Sequence, residues 1–160
     1  INTIFMKKTL LSLAAAAALA FGVNEAKAQT PYRTAIGLGI DLGDGQTLFG
    51  PQVKHSFGGA NAGQAQVLFG DGLTVVGVDY NYNRPFSGAG GLGWYLGVGP
   101  QIGFWDGGSA FAIRPQAGLE YKIPSTPIGI HFDWKPWWNL SHNSNFEAGR
   151  FSLGFKFILK

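Results

Sequence analysis

The chain has no cysteine in 160 residues. That excludes a disulfide framework and any thiolate metal site. No cysteine follows the apolar N-terminal run either, so a lipoprotein anchor is not expected. Charge is scarce, at 13% of residues, and the net value of +3 is misleading. Lys7, Lys8, Lys27 and Glu25 all precede residue 29, and without them the balance is (12 − 3) − (9 − 1) = +1. No basic stripe remains, so nucleic acid is not an expected partner. Also missing is a helical period beyond Val23, because Gly or Pro interrupts every candidate.

What is present begins with an export signal. Met6-Lys7-Lys8 is a basic start, Leu10 to Val23 is an almost unbroken apolar run, and Ala26-Lys27-Ala28 supplies a small-x-small cleavage pattern. The run falls short of the roughly 20 apolar residues of a membrane-spanning helix. Residues 1–28 are therefore expected to be upstream residues plus a cleaved signal peptide, and 29–160 a single domain. Glycine is abundant: 25 in all, 24 of them after the leader, without a collagen-like or linker-like period.

Period two runs through the domain and predicts eight strands: 34–42, 47–57, 62–69, 74–83, 92–105, 109–123, 128–138 and 146–159. The joins have turn chemistry, as in Gly70-Asp71-Gly72 and Asp106-Gly107-Gly108. Such short connections leave no room for crossover helices, so the strands form antiparallel hairpins. Pro51, Pro100, Pro115 and Pro136 fall in or near strands, where bulges are expected because a closed barrel has no free edge to hold them.

Alternation separates two faces. In 128–135, Ile128, Ile130, Phe132 and Trp134 fall on one parity and Gly129, His131, Asp133 and Lys135 on the other. A soluble barrel would turn the apolar face inward, whereas a transmembrane barrel turns it to lipid and keeps a polar interior. Three features favour the membrane arrangement. The apolar faces are long enough for the ~9–11 residues of a tilted spanning strand. Aromatics gather near strand ends, with Tyr80, Tyr82, Trp94 and Tyr121 at one rim and Phe104, Phe111 and Trp134 at the other, forming a lipid-facing girdle. The polar face is glycine-rich, which suits the narrow interior of eight strands. The expected fold is all-β, an eight-stranded antiparallel up-and-down transmembrane barrel.

Export signal, eight short-looped strands and a final aromatic strand together resemble the small eight-stranded outer-membrane barrels of the OmpA/OmpX type. Within the last strand, Ser152, Gly154, Phe157 and Leu159 are similar to the signal by which the outer-membrane assembly machinery recognises its clients, although this chain ends Ile158-Leu159-Lys160 rather than on an aromatic. The resemblance implies the outer membrane of a Gram-negative bacterium. It also implies contact with outer-membrane lipid and lipopolysaccharide, engagement of the assembly machinery, and a monomer.

Three motifs carry possible chemistry. Gly88-x-Gly90-x-x-Gly93 matches a dinucleotide fingerprint by letter, but Trp94 onward alternates as a strand rather than opening a helix, so it reads as a turn. His142 and Ser144 resemble the base and the nucleophile, respectively, of outer-membrane lipid A 3-O-deacylases, with Glu147 the only following acid and wrongly spaced. The third is the lumen set Asp79, Arg114, Glu120, His131, Asp133, Lys135, Arg150 and Lys156, read as a salt-bridge network because unpaired buried charges are costly. Asp133, flanked by most of the positive charge, is the expected hub, paired with Arg114 or Arg150. His131 has no second histidine at ligand spacing, so neither metal nor cofactor is expected. The resulting expectation is a structural, adhesion or envelope-integrity barrel with a closed lumen and no catalysis. The alternative is a lipid-modifying hydrolase using His142 and Ser144.

Overall fold

The computed structural model describes residues 32–88, 90–141 and 144–159. The leader, the expected cleavage site, His142 and Asn143 lie outside the described residues. Every described element is a strand: β1 (Thr34–Gly43), β2 (Leu48–Gly58), β3 (Asn61–Gly70), β4 (Leu73–Pro85), β5 (Leu92–Trp105), β6 (Gly108–Lys122), β7 (Ile128–Trp134), β8 (Trp137–Asn139), β9 (Asn145–Glu147) and β10 (Arg150–Leu159). From β1 to β7 each strand pairs antiparallel with the next, and β1 pairs with β10 from Thr34↔Leu159 to Gly43↔Arg150, closing the sheet on itself. Both β7 and β8 pair with β6, so they form one stave broken at Lys135-Pro136. The pieces β9 and β10 form the next, and the result is a closed eight-stranded up-and-down barrel.

The chain reverses on tight turns. Asp71-Gly72 and Asp106-Gly107 each close a two-residue connection between the paired residues Gly70↔Leu73 and Trp105↔Gly108. Their glycines take φ of 70° and 92°, a region where a side chain would clash with its own backbone. These turns, with the 44–47 connection, mark the distal end of the barrel. The start of β1 and the end of β10 mark the terminal end.

The prolines behave differently from the bulges expected of them. Pro51 pairs with Leu38 on β1, while the ladder to β3 skips from Phe49↔Phe69 to Gln52↔Gln66 without changing register. Pro100 pairs with Ile113 on β6, and the β4 ladder skips it in the same way. Pro115 pairs with Val98, and continuing the β6 register from Ala117↔Trp134 to Ile113↔Trp138 sets it opposite Pro136. A residue in a sheet interior directs its N–H to one neighbour only, so a proline removes bonds on one side and leaves the alignment intact. A one-residue shift does occur at Pro136, but against the last stave, where Lys135-Pro136 faces Ala148-Gly149-Arg150. A second irregularity lies at Ser56/Gly58, away from any proline.

Burial is inverted relative to a barrel with an oily core. Exposed positions include Leu38, Phe49, Val53, Val78, Val98, Leu119, Phe132 and Phe155, with Phe49 63% and Leu38 61% exposed. The inner positions are polar over most of the length, Gln52, Gln64, Gln66, Asn81, Gln101 and Gln116 among them. An apolar cluster lies inside at the distal end, where Leu48, Leu68 and Val75 pack with Leu73 and Trp137.

Candidate functional site: the charged lumen

Alternation along each strand puts every second side chain in the lumen, and the charged ones form two layers. The distal layer centres on Asp41. It accepts from Arg114 Nη1 and from Arg150, whose Nη2 lies at 2.7 Å and Nε at 3.1 Å. Arg114 also donates to the Pro136 and Lys135 carbonyls and lies over the Trp137 ring at 5.2 Å. Arg150 donates to the Asp44 and Gln46 carbonyls at 2.8 Å each, tying the first distal turn to the lumen. Beside this layer Lys135 Nζ meets Asp79 at 2.6 Å, and Gln101 donates to the other oxygen of Asp79 at 2.9 Å.

The layer nearer the terminal end centres on Glu120. Its oxygens lie 3.1 Å from Lys156 Nζ and 3.4 Å from Lys54 Nζ, and the Tyr32 hydroxyl donates at 2.6 Å. Lys54 also donates to Asn83 at 2.7 Å, and Lys156 lies 2.8 Å from His131 Nδ1. Burial, and then the adjacent carboxylate, raise the Tyr32 hydroxyl well above its ordinary pKa, so it remains a donor at the barrel mouth. All five lumen lysines and arginines therefore contact a carboxylate, the condition under which buried charge is tolerable.

All eight charged residues singled out from the sequence lie inside the barrel and are buried. The hub is different. Asp133 contacts neither arginine; it accepts from the Tyr95 hydroxyl and lies 3.8 Å from His131 Nε2. Register supplies the reason. Tyr95 and Asp133 both pair with Gly118 on β6, from opposite sides. Gly118 has no side chain to separate them, and a Cβ there would sit 2.3 Å from that of Asp133. The tyrosine crosses the gap, while the arginines reach across the lumen to Asp41.

Sequence reasoning also missed Asp41, Lys54, Tyr95 and Tyr32. The first three carried the same signal as the rest: Asp41 alternates with Ile40 and Leu42, Lys54 follows Val53, and Tyr95 shares the glycine parity of β5. Tyr32 precedes the first strand and carried none.

On the outside, Tyr80, Phe104 and Phe111 are exposed, and Trp94, Tyr121 and Trp134 are half-buried. Tyr82 departs from the expected girdle: although on the outer parity, it is buried against Ala60 and Trp94. Of the terminal motif, Ser152 and Gly154 face inward while Phe157 and Leu159 are exposed on the outer wall. Ser144 and Glu147 are exposed at the distal end. Among the described residues, no group of three His, Asp or Glu side chains could hold a metal ion. Neither a family model nor a curated protein matches the chain.

Proposed function

We propose that the protein is a small integral outer-membrane β-barrel of the OmpA/OmpX kind, exported on a cleaved signal, with a structural, adhesion or envelope-integrity role and a lumen closed to conduction. One observation carries this reading: the wall is apolar all round while the lumen holds five cations and four carboxylates. In water such a wall would forfeit roughly 25 cal/mol for each Å² of apolar surface left exposed, whereas hydrocarbon is its matching solvent. The closed lumen is supported by the ion-paired layers and by the apolar layer of Leu48, Leu68, Val75 and Trp137 above them. Gel mobility of outer-membrane fractions tests it, since a folded barrel migrates differently before and after boiling. Recovery of the cleaved protein as a soluble periplasmic species would overturn it.

A further inference from the structure

The charged side chains outside the lumen are segregated by end. At the distal end Asp44, Asp71, Asp106 and Glu147 are exposed; at the terminal end the charges are Arg33, Arg84 and Lys122. Among the described residues the terminal rim carries no carboxylate outside the lumen, and the distal rim no cation. Arg84 donates to the Tyr82 hydroxyl at 3.3 Å.

A cleft of about 570 Å³ opens on this basic rim, lined by Tyr32, Arg33, His55, Ser56, Phe57 and the Gly58 turn. Arg33 and His55 are both exposed there. The His55 Nδ1 lies 2.8 Å from the Thr34 hydroxyl. With that hydroxyl donating, Nε2 keeps its proton and can offer it to an anion. The strip is two-sided in chemistry: His55 stands on the outer parity of β2 between Val53 and Phe57, and Phe57 is 67% exposed. A guanidinium and an imidazole N–H donor next to a large bare aromatic suit an amphiphile with an anionic head.

We propose that the terminal rim binds anionic phospholipid, with the headgroup phosphate at Arg33 and His55 and an acyl chain along Phe57 and Val53. The inference rests on the membrane-barrel reading. Among the described residues, Arg33 and Lys122 share this rim with no carboxylate outside the lumen, which favours a net-negative headgroup over a zwitterionic one, whose ammonium they would repel. The apolar strip selects a lipid over a free phosphate.

Native mass spectrometry tests this on protein extracted from membranes in nonionic detergent, titrated with short-chain phosphatidylglycerol, short-chain phosphatidylcholine or inorganic phosphate. Phosphatidylglycerol adducts are expected at concentrations at least about tenfold lower than phosphatidylcholine adducts, with about fivefold weakening for Arg33→Gln. Asp106→Asn, at the opposite rim, should leave the titration unchanged. Equal affinity for the two lipids, or an unaltered titration for the Arg33→Gln/Arg84→Gln double variant, overturns the proposal. So does displacement of the lipid by inorganic phosphate at the same concentration, which identifies a free-anion site. Heat-modifiable mobility of each variant separates the two readings. A barrel that forms but does not discriminate sinks only the lipid site, whereas a chain that forms no barrel sinks the parent reading as well.

Discussion

Replacing Asp41 by alanine is the most revealing single perturbation of the lumen. The carboxylate is 1% exposed and is the shared acceptor of two buried guanidinium groups. Removing one partner of a buried ion pair typically costs about 3–5 kcal/mol, because the stranded charge keeps its desolvation penalty. Here each arginine retains two backbone carbonyl acceptors, which places the expected loss near the lower figure. Asp106→Ala, at an exposed turn, should stay within about 0.5 kcal/mol of the parent. Equilibrium unfolding in urea from detergent micelles, followed by tryptophan fluorescence, measures both. With a slope of about 1–3 kcal/mol per molar, the Asp41→Ala midpoint should fall by about 1–3 M at unchanged slope. A triple variant, Asp41→Leu with Arg114→Met and Arg150→Met, should recover most of the loss, since an entire buried ion cluster can often be replaced by apolar groups at little cost. If Asp41→Ala and Asp106→Ala unfold at the same midpoint, the arginines are solvated and the closed-lumen reasoning fails.

Other expectations follow from the same geometry. Asp133→Ala should fall between those two variants, at about 1–3 kcal/mol, because it orphans a buried tyrosine hydroxyl rather than two cations; a loss equal to that of Asp41→Ala in the same titration would contradict the assignment of the hub. Gly118→Ala should cost about 1–3 kcal/mol through overpacking against Asp133, whereas Gly103→Ala, whose nearest neighbour would be Leu73 at 3.5 Å, should be tolerated; equal urea midpoints would refute the close approach. Val98→Arg, on the exposed wall of β5, should cost about 2–4 kcal/mol in bilayer-folded protein; no loss in a vesicle folding titration would argue against lipid contact there.

The amino-acid sequence determined the fold by itself, because the information needed is local. Period two assigns each residue to a face, turn residues set the strand breaks, and eight strands with short joins admit few closures. Ile130 and Phe132 on one face, with His131 and Asp133 on the other, are legible in four letters. Which lumen charges meet was not legible. Parity says that Asp133 and Arg114 both point inward, but not that Gly118 lets Tyr95 reach Asp133 first, nor that two arginines on different staves converge on Asp41. Those pairings depend on the register of three strands and the reach of long side chains across the barrel. The prolines make the same point: composition foretold a disturbance, but only the ladder's geometry decided that Pro51, Pro100 and Pro115 would each cost bonds on one side and leave the alignment whole. The segregation of charge between the two rims is a tertiary property too, because Arg33, Arg84 and Lys122 are far apart in the chain and share an end only once alternate strands run in opposite directions.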